Sequence, residues 1–144
     1  MTVASILKTK GSETITLSET NTVEEAVALL AEKKIGAVVV ASSDGGVAGI
    51  FSERDIVRGL SEHGTELLNR PVSELMTRNV VTCTSSHTID NVMESMSQGR
   101  FRHVPVVDDG KLTGIISIGD IVKSKISQLE NETSAMRDYI AGHG

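Results

Sequence analysis

Gly49-Ile50-Phe51-Ser52-Glu53-Arg54-Asp55-Ile56-Val57 returns later in the chain as Gly114-Ile115-Ile116-Ser117-Ile118-Gly119-Asp120-Ile121-Val122. Each copy sets a glycine before two large apolar residues, then Ser, two variable residues, Asp and two more apolar residues. The apolar pair suits the end of a buried strand. Ser-x-x-Asp suits a helix start, with Ser as N-cap and an acid at N3. Each copy therefore predicts a strand, a sharp turn and a helix N-terminus. Such a junction presents free backbone N–H groups and the positive end of a helix dipole, a place for an anion such as phosphate. One Ser-x-x-Asp alone is an ordinary cap, and most caps bind nothing; duplication gives it weight.

A longer repeat surrounds each copy. Val3, Ile6 and Leu7 have the spacing of a short helix face, and Val72, Leu75 and Met76 reproduce it. Ile15-Thr16-Leu17 and Val81-Thr82-Cys83 are short β-prone stretches. A capping box at Thr22 and Glu25 opens a helix with Val23, Ala26, Val27 and Leu30 on one face. Ile89, Val92, Met93 and Met96 form its counterpart, with Gly99 expected as the residue just past its end. Buried strands follow at Ile35 to Val40 and Phe101 to Val106. Pro105 has no N–H to donate, so that position must lie at an edge or face no acceptor. Turns at Ser42 to Gly46 and Asp108 to Gly110 predict hairpins, with return strands Val47 to Phe51 and Lys111 to Ile116.

Each half thus reads helix–strand–helix–strand–strand–helix. A unit of roughly 60 residues buries too little surface to stand alone, so two quasi-equivalent lobes sharing one globular unit are expected. The fold class is α+β, each lobe a small three-stranded sheet with two packed helices, the sheets packed together. Residues 1–60 form the first repeat, 61–70 a connection, 71–125 the second repeat and 126–144 a helical extension. In that last helix Val122, Ile126, Leu129, Thr133, Met136 and Ile140 are spaced 4, 3, 4, 3, 4, a heptad-like seam that fits pairing with a second subunit.

Composition excludes several classes. Aromatic residues make up 2% of the chain, so the stacking platforms that grip single-stranded nucleic acid are missing. A net charge of −5 disfavours nucleic acid and anionic membranes. Cys83 is the only cysteine, so no intrachain disulfide forms and no Cys/His set has zinc spacing. A cytoplasmic setting is expected. The N-terminus lacks a basic flank and long apolar run, and the apolar run Ile35 to Ala41 is too short to span a bilayer. There is no P-loop, Rossmann fingerprint, His-Glu-x-x-His or nucleophile elbow. No catalytic or metal-binding residues and no catalytic cofactor are predicted, and the chain is not expected to be an enzyme.

The repeated unit ending in Gly-apolar-apolar-Ser-x-x-Asp, with the Val104-Pro105-Val106 of the second copy, resembles the CBS domain, named for cystathionine β-synthase. The resemblance runs from about Val3 to Lys125 and implies a tandem pair, or Bateman module, of the small stand-alone type. It implies two clefts between pseudo-symmetric lobes that bind adenosine-containing ligands such as AMP, ADP, ATP, NAD(H) or S-adenosylmethionine. It assigns ribose to Asp55 and Asp120 and phosphate to Ser52 and Ser117. It places adenine against Thr16 and Ile35-Gly36-Ala37 in one site, and against Thr82 and Phe101-Arg102-His103 in the other.

Elementary chemistry is compatible with these roles. A carboxylate can accept from both ribose hydroxyls, and such charge-assisted bonds contribute about 1.5–3 kcal/mol each. The copies differ where charge matters. Arg100-Phe101-Arg102-His103 is basic, where the first copy has Lys34-Ile35-Gly36-Ala37; Arg54, counted among the expected ligand contacts, stands where the second copy has Gly119. The ribose ends therefore read alike, and the sites are expected to diverge at the phosphates, with Arg102 favouring a pyrophosphate ligand in one. The leading expectation is a non-catalytic adenine-nucleotide sensor that forms a homodimer and signals to a separate regulated protein. The alternative is a structural dimerisation or interaction module with incidental nucleotide binding.

Overall fold

The computed structural model describes residues 1–11 and 14–143. The first lobe holds β1 (Thr16–Ser18), α2 (Val23–Lys33), β2 (Ala37–Ala41), β3 (Val47–Ser52) and α3 (Glu53–His63), preceded by α1 (Val3–Lys10). After a 3-10 turn over Gly64–Asn69 come α4 (Val72–Leu75), α5 (Ile89–Gly99), β4 (His103–Asp108), β5 (Lys111–Ser117) and α6 (Ile118–His143). Among the described residues no helix is long and apolar enough to cross a membrane.

The first sheet has the order β1-β2-β3, with β1 parallel and β3 antiparallel to the central β2. Val38 and Val40 point into the core with Leu17, Ala26 and Phe51. Ala37 and Val39, on the opposite face, are equally buried, the burial that stacked sheets require. Both predicted helix starts form. Thr22 accepts from the Glu25 N–H at 3.2 Å while the Glu25 carboxylate accepts from the Thr22 N–H at 3.2 Å.

The second sheet corrects the expectation of three strands. It has two, β4 and β5, and the third is reduced to a single parallel bridge between Cys83 and Val106. Pro105 supplies the reason. Its carbonyl accepts from the Cys83 N–H at 3.0 Å, and the Val107 N–H donates to the Cys83 carbonyl at 2.8 Å. A residue's N–H and C=O point to the same side of a strand. The donor that proline lacks is therefore the one that would have extended this ladder. In the first lobe the matching residue is Val39, and pairing there runs from Thr16 to Ser18.

Gly99 also differs from expectation. It lies inside α5, and the left-handed cap is Arg100 at φ 56°, as Lys34 at φ 56° caps α2. Glycine at 99 makes room for the Phe101 ring, which a Cβ there would meet at 2.1 Å.

The repeats exchange their leading helices. Val3, Ile6 and Leu7 of α1 belong to the second core, with Ile89, Val104 and Ile116. Backbone bonds hold α1 there: the Val3 N–H to the His87 carbonyl and the Ala4 N–H to the Ser85 carbonyl, both 2.9 Å. Conversely Val72, Leu75 and Met76 belong to the first core. The Val23 N–H to the Arg70 carbonyl (2.9 Å) and the Val72 N–H to the Asn21 carbonyl (2.8 Å) tie that segment in. Residues 61–70, read as a connection, finish α3 and form the 3-10 turn, whose Leu67 is fully buried in the first core.

Candidate adenosine-binding sites

Each Ser-x-x-Asp sits where a strand passes into a helix, and the register brings the neighbouring strand alongside. Ala37 pairs with Ser52, and His103 with Ser117. The Glu53 N–H donates to the Gly36 carbonyl at 3.1 Å, and the Ile118 N–H to the Arg102 carbonyl at 2.8 Å. The first helical N–H is thus consumed by the strand. In the second site the third is consumed too, because the Asp120 N–H donates to Ser117 Oγ at 3.1 Å. Anion capacity at these helix ends is correspondingly smaller than four free donors. The space there also differs. Gly119 leaves it open, with Ser117 Oγ at 3.6 Å from a built Cβ, where the first site carries the exposed Arg54.

The ribose ends, alike in sequence, are unlike in structure. Asp55 is nearly closed off, its side chain 3% exposed. Its Oδ2 accepts from the Ser52 N–H at 2.9 Å and Ser52 Oγ at 3.2 Å, and its Oδ1 from Arg58 Nη2 at 2.8 Å. Arg58 also donates to the Leu75 carbonyl at 3.0 Å, bridging α3 to α4. Asp120 keeps 22% of its side chain exposed. Its Oδ2 accepts from the Ser117 N–H at 2.9 Å and from Lys10 Nζ at 2.8 Å, and Oδ1 has no partner among the described residues. Lys10 donates as well to the Ile115 carbonyl at 2.9 Å.

Neither cation was found by sequence reading. Arg58 stands three residues after Asp55 on one helix, a spacing that brings side chains together and that offered a signal. Lys10 gave none, because α1 reaches Asp120 only through the helix exchange.

Electrostatics follow from this packing. Burial pushes the Asp120 carboxyl up, but the Lys10 ammonium and the Ser117 N–H outweigh it and hold it below the ordinary Asp value. Burial pushes His103 below the ordinary histidine value; Asp120 opposes this, and Lys10 and Arg102 reinforce it. Lys10, Arg102, His103, Ser117 and Asp120 therefore form one interacting cluster at the second junction.

The remaining predicted residues are placed as follows. Ile35, Gly36 and Ala37 lead into β2 beside Ser52, and Thr16 pairs with Val39 on the same sheet. Thr82 is exposed and lines a pocket of about 30 Å³ with Cys83, His87 and Asn91, far too small for a nucleobase. Phe101 folds back over Gly99 and packs on the second core, so its ring is structural in this arrangement. A larger concavity, lined by Ile126, Leu129, Glu130, Thr133, Ser134 and Arg137, lies on α6 alone, away from both junctions. The described residues contain no cluster of His, Cys, Asp and Glu able to hold a metal ion.

The duplicated junctions, the paired lobes and the two caps define a tandem module, and comparison with known proteins agrees. The family model for the CBS domain matches residues 3–62 and 72–127. The chain belongs to the CBS-domain family, as a CBS-domain pair. It is 48% identical to the CBS-domain-containing protein ATU1752 from Agrobacterium tumefaciens, whose crystal structure superposes with a TM-score of 0.81 over 86% of this chain and 92% of that one. It is 29% identical to the Arabidopsis thaliana CBS domain-containing protein CBSX3, mitochondrial, over 98% of this chain and 72% of that protein. The CBS-domain pair of protein MJ0100, solved in complex with 5′-methylthioadenosine and S-adenosyl-L-methionine, is 28% identical, with a TM-score of 0.78 over 89% of this chain and 98% of that one.

Proposed function

We propose that this chain is a non-catalytic sensor module that binds an adenosine-containing ligand at the second junction, with Asp120 receiving the ribose. The partly open Asp120 carboxylate carries this reading. It stands in a cationic cluster beside a strand whose backbone can read an adenine edge. Arg102 and Lys10 supply positive charge that suits a phosphate or another anionic group, and the neutral His103 imidazole can hydrogen-bond to it. The MJ0100 complex with adenosyl ligands supports the ligand class, and AMP, ATP and NAD(H) remain the ligands proposed here. The Ser52–Asp55 junction is the weaker candidate, because its carboxylate is already engaged. Bound ligand acts on a partner only through different affinities for two arrangements of the module.

Calorimetry and thermal shift with adenosine, AMP, ATP, NADH and S-adenosylmethionine test this. A ligand that binds the native state must raise the melting temperature. Stabilisation by at least one of them, lost in Asp120→Asn, is the expected result. No response to any at millimolar concentration would sink the proposal and favour the interaction-module reading.

A further inference from the structure

The last helix leaves its own lobe early. Ile121 is buried, and Ser124, Lys125 and Gln128 are half-buried. From Leu129 to Ile140 every residue whose side chain is described is exposed. A solitary helix of roughly 15 residues is marginal in water. This one also leaves Ile126, Leu129, Met136 and Ile140 open at 52, 61, 61 and 62% exposure. Successive residues turn by about 100°. The seam that starts at Val122 therefore stands a quarter-turn from the buried Ile121 and clear of the lobe.

With Ile126 at position a of a heptad, the a positions are Ile126, Thr133 and Ile140, all β-branched. The d positions are Val122, Leu129 and Met136. β-Branched residues at a with Leu at d favour two parallel strands; Leu129 and the unbranched Met136 fit this, and Val122 at the lobe end is itself β-branched. Ser127, Asn131, Ser134 and Ala135 occupy outward positions, as a two-stranded coil requires.

The flanking charges fit a parallel pairing of two copies. In a parallel pair each g position faces the e position of the partner's next heptad. That sets Lys125 against Glu130 and Glu132 against Arg137, and both pairs attract. The antiparallel register that stacks Ile126 on Met136 sets Glu130 on Glu130, Glu132 on Glu132 and Lys123 on Arg137. All three repel. Lys125 also pairs with Asp90 of α5 at 2.5 Å, so its contribution is shared. Glu132 and Arg137 are in no ion pair among the described residues.

We propose that α6 forms a parallel, in-register, two-stranded coiled coil with α6 of a second copy of this chain. The proposal does not depend on the ligand reading. Sedimentation velocity of the full chain over a micromolar concentration series is the test. The wild type is expected to dimerise reversibly and Leu129→Asp to be monomeric with unchanged lobes by near-native melting. Arg137→Glu and Glu132→Arg each weaken the dimer roughly tenfold, and the double variant recovers most of the loss. Met136→Cys forms an interchain disulfide on mild oxidation, since Cys83 is buried. A wild-type monomer throughout, or a dimer indifferent to Leu129→Asp, overturns the proposal. So does a dimer that Arg137→Glu tightens, because the antiparallel register that sets residue 137 on Lys123 gains from that change and the parallel one loses.

Discussion

Replacing Asp120 and Asp55 separately by Asn should give opposite phenotypes. Both substitutions keep shape and remove charge. At Asp120 the proposed acceptor for a ribose hydroxyl is Oδ1, which has no partner among the described residues, while Oδ2 is shared between the Ser117 N–H and Lys10. One charge-assisted bond of about 2 kcal/mol is at stake, or roughly a 30-fold rise in Kd. Stability should change little, because Asn retains an acceptor for the Ser117 N–H and Lys10 is part-exposed, where ion pairs contribute about 0–1 kcal/mol. At Asp55 the three bonds from Ser52 and Arg58 are internal and the carboxylate is shielded. Asn can replace only part of that set. The expected cost is about 2 kcal/mol of stability, or roughly 6 °C in melting temperature.

The assay is calorimetric titration with whichever adenosine ligand binds the wild type, alongside differential scanning fluorimetry of the free proteins. Asp120→Asn should lose affinity and keep its melting point; Asp55→Asn should do the reverse. Equal affinity losses would mean that the two carboxylates are functionally equivalent and that burial was a poor guide. A large affinity loss at Asp55 alone would reverse the assignment.

Three further outcomes follow from the same packing. Burial holds the His103 imidazole below the ordinary histidine value in the folded state, so the folded chain binds fewer protons than the unfolded one as pH falls through that value. Its contribution is complete above the ordinary histidine pKa and is lost as pH falls through the window beneath it; His103→Gln should flatten the melting-temperature curve there, and an unchanged curve refutes the coupling. Cys83 is pushed up to about 11 by burial and by the Asp108 carboxylate. At about pH 8 only roughly one thiol in a thousand is ionised, so iodoacetamide should label it in denaturant and not in the native protein; comparable rates in both would contradict the burial. Gly49→Ala should cost about 1–3 kcal/mol, because its Cβ would meet the Thr77 carbonyl oxygen at 2.6 Å. Gly114→Ala should cost less, since the atom met at 2.6 Å is the tip of Leu7; equal melting-temperature losses would refute that distinction.

Much of the fold could be read from local chemistry. The capping boxes, the valine-rich strands and the hairpin turns each depend on neighbours a few residues away, and those neighbours are visible in the sequence. Pro105 announced a missing donor, but not which strand would lose it. Gly99 was read by its conformational freedom, whereas its place is set by the Phe101 ring, a contact that spacing alone does not reveal. The site was legible as a motif and not as an electrostatic environment. His103 was read as part of an adenine site with Thr82, and the Lys10 that shares the Asp120 carboxylate lies far away in the chain.

Helix exchange explains why the repeat misled at this one point. Val3-x-x-Ile6-Leu7 and Val72-x-x-Leu75-Met76 have the same spacing, so the pattern says that the helices are equivalent and cannot say which lobe takes which. In the structure each packs on the lobe of the other repeat, and each brings a different contact to the nearby carboxylate. At the first junction α4 offers the Leu75 carbonyl, which fixes Arg58 over Asp55 and closes the carboxylate in. At the second, α1 offers Lys10 itself, which reaches Asp120 from the side and leaves one oxygen open. Two copies of one motif thereby become a structural strut and a candidate binding group. Lengthening the first copy by one residue reaches Arg58, but no lengthening of either copy reaches Lys10, which the helix exchange alone brings to Asp120.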